Sequence, residues 1–297
     1  MRDTLLIEVI QLSMMEIIKN KIIQGADNRP TLLDAYWQAD NAPKPIVIFS
    51  HGYKGYKDWG AWELIAQTFA KAGFVFVKFN FSHNGGTVKE PIDFPDLEAF
   101  GQNNLSKELT DLGIMIDWCF KDTTIPLSEK NTDQLALIGH SRGGGITILK
   151  AAQDSRVKAL VTWAAVSDYG TRFPKEKALE EWKKSGVFYV MNGRTKQQMP
   201  HFYQYYEDFK KHENTLNIRA AAEKLDKPFL IIHGEADAAV NPLEARSLHQ
   251  WNPQSKLKLM LDTGHTFDTK HPWAEEVLPD AMQGVVHLSI DFLKGMK

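Results

Sequence analysis

Cysteine is almost absent from this chain of 297 residues: Cys119 stands alone. One cysteine closes no intrachain disulfide and builds no thiol-rich metal site. It lies in the apolar stretch from Ile114 to Phe120, where a small buried residue of a helix is the expected role. Long hydrophobic runs are missing too. Nothing approaches the run of about eighteen apolar residues that a membrane span needs. The apolar piece at residues 5–10 is broken by Glu8 and leads into no clean small-residue cleavage site, so no signal peptide is expected. Met14 and Met15 leave a later start open. Charge of one sign is also scarce. With 35 Lys and Arg against 37 Asp and Glu the net charge is −2, and no basic block of five occurs. Neither nucleic acid nor a membrane surface is therefore an expected partner. Together these absences point to a soluble, cytoplasmic protein.

What is present is an ordinary globular balance, 43% hydrophobic and 24% charged. At this length one large α/β domain or two small ones is the prior. From about residue 45 the pattern alternates. Ile46-Val47-Ile48-Phe49 is a short, wholly apolar run of the kind that suits a strand buried on both faces. Trp59, Trp62, Ile65, Ala66 and Phe69 recur at helical spacing, and the next strand runs from Phe74 to Phe79. Leu105, Leu109, Leu112 and Ile116 line another helix face. Further strands are expected over 135–138, 159–163, 229–232 and 257–261, and a last helix over roughly 274–294. Before residue 45, the segments around Glu16–Ile23 and Leu32–Trp37 read as an antiparallel lead-in pair. Repeated strand–helix units with short connections imply a mostly parallel sheet covered by helices.

The connection between Asp168 and Lys227 is too long for this scheme. It holds 60 residues where a simple crossover needs about half that. It also holds five of the eight tyrosines, and Phe202, Tyr203, Tyr205, Tyr206 and Phe209 include the spacing of a helix face. Such a stretch either buries its aromatics against itself or caps the strand ends where ligands bind. Both can hold for different residues, and Phe202, Tyr203 and Tyr206 are the candidates to face a substrate.

Chemistry enters at Gly139-His140-Ser141-Arg142-Gly143, which reads G-x-S-x-G. The bare pattern occurs by chance in roughly one chain in ten or twenty. Here it follows the apolar run 135–138 and precedes a helix-compatible run, 146–152. A strand, a sharp turn and a helix present a serine oxygen for attack, and the flanking glycines let the backbone pass closely. Such a serine needs a base, and histidine suits proton transfer near neutral pH. His265 follows the 257–261 strand in a loop; His271 in the same loop is its rival, while His249 and His287 sit in helical patterns. An acid is expected at the end of the preceding strand. Asp237 is the candidate there, with Glu235 as rival; Asp262 and Asp168 also end strands, where turn formation and helix capping account for them. Acyl transfer further needs two donors for the oxyanion. The backbone N–H of Arg142 is one, and that of Tyr53, after Gly52 in the loop following an early strand, is the other.

The series Ser50-His51-Gly52-Tyr53, Gly139 to Gly144, His233-Gly234-Glu235-Ala236-Asp237 and Gly264-His265-Thr266-Phe267 resembles the α/β-hydrolase superfamily. The resemblance covers the chain from about residue 16 to its end. Within the superfamily it is similar to the intracellular esterase and dienelactone-hydrolase-like branch, including the small cinnamoyl esterases. The segment Phe79 to Gly85 resembles that branch as well. The resemblance implies one α/β-hydrolase domain over 1–297: a mostly parallel eight-stranded sheet, helices on both faces and a small helical cap at 168–227. It implies Ser141 as nucleophile, His265 as base and Asp237 as acid, with the Tyr53 and Arg142 amides as oxyanion hole. Ser141 departs from the cysteine of dienelactone hydrolase proper and from the aspartate of dehalogenases, and His-Gly-Tyr departs from the His-Gly-Gly-Gly of hormone-sensitive-type lipases. Prolyl-oligopeptidase-type peptidases resemble this catalytic domain, and their N-terminal propeller is not expected among these residues. The expected activity is hydrolysis of a small-molecule carboxylic ester, short-chain or aromatic in its acyl part, through an acyl-enzyme. No cofactor or metal is expected. A short-peptide peptidase or amidase with the same triad is the alternative, a non-catalytic ligand binder is a third reading, and pairing of two copies is left open.

Overall fold

The computed structural model describes residues 14–295. The apolar piece at residues 5–10 and the question of a leader lie outside the described residues. In chain order the elements are β1 (Met14–Gln24), β2 (Pro30–Ala39), β3 (Lys44–Ser50), α1 (Trp62–Lys71), β4 (Val75–Phe79), α2 (Leu97–Gly101), α3 (Leu105–Lys121), β5 (Lys130–His140), α4 (Arg142–Gln153) and β6 (Val157–Trp163). Then follow α5 (Glu176–Ser185), β7 (Val187–Met191), β8 (Gln198–Phe202), α6 (Gln204–Lys211), α7 (Ile218–Lys224), β9 (Phe229–Gly234), α8 (Leu243–Trp251), β10 (Lys256–Met260) and α9 (Asp280–Lys294).

Eight strands form one sheet in the order β1-β2-β4-β3-β5-β6-β9-β10. The lead-in strands β1 and β2 are antiparallel to each other and β2 is antiparallel to β4. From β4 to β10 every pairing is parallel. This is the mostly parallel sheet and α/β-hydrolase architecture that the strand–helix alternation and the resemblance implied.

Strand geometry explains why wholly apolar runs recur. Successive side chains point to opposite faces, so each central strand must supply two cores. Ile46 and Ile48 join Leu135, Leu137 and Leu160 on one face, where α3, α4 and α8 pack. Val47 and Phe49 join Ala136, Ile138, Val161 and Trp163 on the other, covered by α1 and α9. Fully burying an Ile, Val or Phe contributes roughly 1.5–3 kcal/mol, so the centre of the sheet is the most strongly held part of the chain. The last helix begins at Asp280, after Pro279, rather than near 274. Proline suits a helix start and not its interior.

Between β6 and β9 lies the long insert. It contains α5, α6 and α7, and also a feature the residue spacing did not suggest: the antiparallel hairpin of β7 and β8. Phe202 ends β8 and Tyr203 precedes α6, so only the later aromatics share a helix. The insert builds its own aromatic core. Trp182 lies 4.6 Å from Phe188 and 5.4 Å from Tyr203, while Phe173 lies 4.9 Å from Phe209, ring centre to ring centre.

Candidate active site

β3 sits mid-sheet, with β4 on one side and β5 on the other, so the loops leaving β3 and β5 bound a crevice at the strand carboxyl ends. Ser141 stands there between β5 and α4 with φ 56° and ψ −122°. That left-handed conformation costs a non-glycine residue about 1–3 kcal/mol. The surrounding backbone holds it: Ser141 N–H donates to the Trp163 carbonyl at 2.9 Å, and the Ser141 carbonyl accepts from Gly144 at 3.0 Å and Val166 at 3.2 Å. Two glycines are required by close approach. A Cβ on Gly143 would enter the backbone of Ser50 and His51, and one on Gly139 would strike Thr147 and Gly143.

His265 Nε2 lies 3.0 Å from Ser141 Oγ, and His265 Nδ1 lies 2.7 Å from Asp237 Oδ2. The Asp237 side chain is fully buried while His265 is about a fifth exposed. Burial pushes the Asp237 carboxyl up, but hydrogen bonds from His233, His265 and the Val240 amide outweigh it and hold the group well below the usual carboxylate range. A charged Asp237 keeps the proton of His265 on Nδ1, leaving Nε2 to accept one from the serine. The Asp237 Oδ1 is fixed by the Ala239 and Val240 amides at 2.8 and 2.9 Å.

Two histidines outside this trio hold it in place, and neither was singled out as such from the sequence. His233, buried under Asp237, donates from Nε2 to the Val240 carbonyl at 2.9 Å, with Asp237 Oδ2 at 3.2 Å. His140, the variable residue before the serine, donates from Nε2 to the His265 carbonyl at 3.0 Å, and its ring lies 4.8 Å from that of His265. Burial, with His265 beside it, pulls His140 down to about 3, so it is neutral at physiological pH. The only sequence signal was position, immediately before the serine and at the end of a strand.

His51 is a buried structural histidine, as its place suggested. Its Nδ1 donates to the Gly52 carbonyl at 2.9 Å, its Nε2 accepts from Phe81 N–H at 3.2 Å, and burial lowers it to about 4. The loop it begins passes against the serine, since a Cβ on Gly52 would lie 2.8 Å from the Ser141 Cβ. Tyr53 follows in that loop. Arg142 opens α4, where a first-turn N–H has no partner within the helix. The rival residues lie elsewhere: His271 Nδ1 accepts from Gly60 N–H at 2.9 Å, and His249 pairs with the Ser255 hydroxyl at 2.8 Å.

Ser141 and His265 open into a cavity of about 710 Å³ lined by Tyr53, Val166, Phe173, Trp182, Phe188, His201, Tyr205 and Val240, with Lys54, Arg142 and Arg172 among its walls. This size and apolar lining suit a small-molecule site. The insert supplies much of the wall, but by different residues from those expected. Phe202 packs its ring against Gly101. Tyr203 lies over Trp182. Tyr206 borders a separate cavity, lined also by Asp168, Phe209 and Trp251. Tyr205 reaches the main cavity instead, because on α6 it points about 100° away from its neighbours. The Arg142 side chain lies between the Tyr53 and Tyr205 rings, 5.2 and 5.5 Å from their centres. It is ion-paired with Glu108, buried on α3. Tyr53 Oη and His201 Nε2, on β8, are 2.7 Å apart.

Among the described residues one carboxylate group has metal-like spacing, Asp34, Asp58 and Glu63. The Lys57 and Lys78 ammonium groups occupy the space between these oxygens, at 2.5 to 3.3 Å. The cluster is a part-buried ion-pair network, and none of its members lines the cavities at Ser141.

Comparison with known proteins gives the following. A family model described as the prolyl oligopeptidase family matches residues 61–276. An uncharacterised 31.7 kDa protein from the traX-finO intergenic region of Escherichia coli is 28% identical over 128 residues, which are 43% of this chain. The chain thus spans about two fifths (40%) of the length of that curated relative. Among solved structures, Est1E from Butyrivibrio proteoclasticus superposes with a TM-score of 0.64 at 16% identity, covering 94% of this chain and 98% of that one. Est1E has also been solved with ferulic acid bound. A dipeptidyl aminopeptidase IV homologue from Bacteroides ovatus superposes with a TM-score of 0.64 at 14% identity, covering 96% of this chain and 36% of that one.

Proposed function

This chain belongs to the prolyl oligopeptidase family, a family of serine hydrolases, and we propose that it hydrolyses carboxylic esters through an acyl-enzyme on Ser141. One observation carries the reading: the chain of contacts from Ser141 Oγ to His265 Nε2 at 3.0 Å and from His265 Nδ1 to Asp237 at 2.7 Å, at the edge of a largely apolar cavity. In the proposed sequence, Ser141 Oγ attacks the ester carbonyl while His265 Nε2 takes its proton. The Tyr53 and Arg142 N–H groups stabilise the developing oxyanion. His265 returns the proton to the leaving alcohol, then removes one from the water that attacks the acyl-enzyme. Release of the acid restores Ser141. Asp237 stabilises the imidazolium at each stage without taking the proton. The insert acts as a cap, and its Phe173, Trp182, Phe188 and Tyr205 favour an aromatic or short apolar acyl group. The ferulic acid held by Est1E is a group of that kind.

The peptidase reading has support in the family match and in the aminopeptidase structure. The cavity wall weighs against one version of it. No Asp or Glu among the described residues lines the cavity, and three cations do. The free ammonium of a peptide amino terminus would find no carboxylate on that wall, and Lys54 there is a like charge.

The test is hydrolysis of short p-nitrophenyl esters beside aminoacyl amides by wild type and Ser141→Ala. The ester should be turned over, and the variant should lose at least about a thousandfold in kcat. A fluorophosphonate should label wild type at Ser141. Undiminished turnover by Ser141→Ala would sink the assignment.

A further inference from the structure

The charges around the candidate nucleophile are one-sided. Three cations line the large cavity, with no carboxylate among the described residues of its wall. Two of the three are already paired, Arg142 with Glu108 and Arg172 with Glu244. Lys54 is not. Its Nζ lies 5.0 Å over the centre of the Tyr53 ring, and among the described residues it has no hydrogen bond and no ion pair. The side chain is half-buried. Burial lowers its pKa, and no carboxylate acts in the opposite direction.

Position strengthens the case. Lys54 follows Tyr53, the candidate oxyanion donor. It lines not only the large cavity but also a smaller one of about 200 Å³, walled by Trp59, Trp62 and His140. Ser141 and His265 border both. Lys54 therefore belongs to the wall of both chambers, as Ser141 and His265 do. Its backbone is held at φ 54°, a left-handed conformation that an unbranched residue tolerates only when its surroundings enforce it. A half-buried ammonium facing a mostly apolar space is poorly solvated, and an anion delivered to it gains a charge-assisted hydrogen bond.

We propose that Lys54 is a specificity-determining residue that binds a carboxylate carried by the substrate a few bonds from the scissile carbonyl. The substrate class is then a carboxylate-bearing ester: a half-ester of a dicarboxylic acid, or an ester whose alcohol part carries the acid. The proposal rests on the ester-hydrolase reading of Ser141.

Two matched pairs separate the two sources of the carboxylate. Monophenyl glutarate against phenyl pentanoate places it on the acyl side. 4-Acetoxybenzoate against 4-acetoxybenzamide places it on the alcohol side. Each pair is run with wild type, Lys54→Met and Lys54→Arg, which keep an unbranched stem on the same backbone. The readout is the ratio of kcat/KM for the anionic ester to that for the neutral one, so a general loss of activity cancels. In one arm Lys54→Met should lower the ratio about ten- to a hundredfold, and Lys54→Arg should restore most of it. A ratio indifferent to Lys54 in both arms overturns the subsite and leaves the ester reading standing. Boronic acids, which add to an activated serine whatever its natural substrate, separate the other failure. If no ester is turned over, yet 4-carboxyphenylboronic acid outcompetes phenylboronic acid for Ser141 only when Lys54 is present, the subsite stands and the ester reading falls. If neither boronic acid protects Ser141 from a fluorophosphonate and no ester is cleaved, both are overturned.

Discussion

The floor and the roof of the cavity are built on different principles. The floor is backbone: a serine held at φ 56° by three main-chain hydrogen bonds, glycines where no Cβ fits, and an acid pinned by two amides. Two buried histidines, His140 and His233, tie it to the backbone carbonyls of His265 and Val240. The roof is side chains: a cluster of rings around Trp182 and Phe173 on short helices and a two-stranded hairpin. Polar links join the two, among them Tyr53 with His201, Arg172 with Glu244, and Tyr169 Oη donating to the Arg142 carbonyl at 2.8 Å. A floor of this kind tolerates almost no change in position, whereas a roof of packed rings can be re-cut to admit different groups while the sheet below stays as it is.

The contrast is broken most severely at Asp237. Asp237→Asn keeps the volume but removes the charge that holds the His265 proton on Nδ1. We expect kcat to fall by about four orders of magnitude, with a thermal midpoint close to wild type. A loss under tenfold would mean that the floor does not work through this carboxylate. Next in size is Arg142→Met, which strands Glu108 in the core with only the Asn103 amide at 2.7 Å for company. Breaking a buried pair on one side costs about 3–5 kcal/mol, read as a lower urea midpoint at unchanged m-value. Adding Glu108→Gln should recover most of that loss. If it does not, the Arg142 side chain matters to the roof through Tyr205 rather than to the floor through Glu108.

The two regions were not equally legible in the sequence. Ser141, His265 and Asp237 could each be placed because each follows a strand that its own apolar run announces, so local pattern determines which end of the sheet it occupies. The floor's supports were harder. His140 and His233 are ordinary strand-end residues until the fold sets a carbonyl beside each. Glu108 lies 34 positions before Arg142, and no spacing rule connects them. In the roof, the aromatic stretch was visible but its facing was not. Tyr205 and Tyr206 differ only by rotation about one helix, and that rotation is set by contacts with Phe173 and Trp182 far upstream. The β7–β8 hairpin escaped because β8, Gln-Met-Pro-His-Phe, contains a proline and little alternation, which reads as loop.

A smaller effect probes whether the roof is separable. Trp182 fills the insert core and donates from Nε1 to the His201 carbonyl at 2.8 Å. Trp182→Phe keeps a ring but loses that bond and some volume, at a cost of about 2 kcal/mol. The loss should be confined to the insert, with amide exchange rising over 173–209 and not over the central strands. In kinetics KM should rise more than kcat falls, and an equal fall in kcat would show that floor and roof move as one.

The smallest effect falls on one of these links. Tyr53→Phe deletes the hydroxyl that meets His201 and leaves the ring beside Arg142, so its cost should be that of one neutral hydrogen bond, about 1 kcal/mol. Burial, with Arg142 and Lys54 nearby, pulls His201 down to about 3, and burial pushes the Tyr53 phenol up to about 12. Neither group changes charge between pH 5.5 and 8.5, so the coupling measured in a double-mutant cycle with His201→Phe should be equal at both. Total stability behaves differently. A histidine whose folded pKa is depressed contributes fully above its unfolded value of about 6.5, and its contribution is lost as pH falls toward the folded one. Wild-type stability should therefore decline below pH 6.5, and His201→Phe should flatten part of that slope. A coupling that itself grew or vanished between the two pH values would mean that His201 carries a charge, and that this link is not a neutral hydrogen bond.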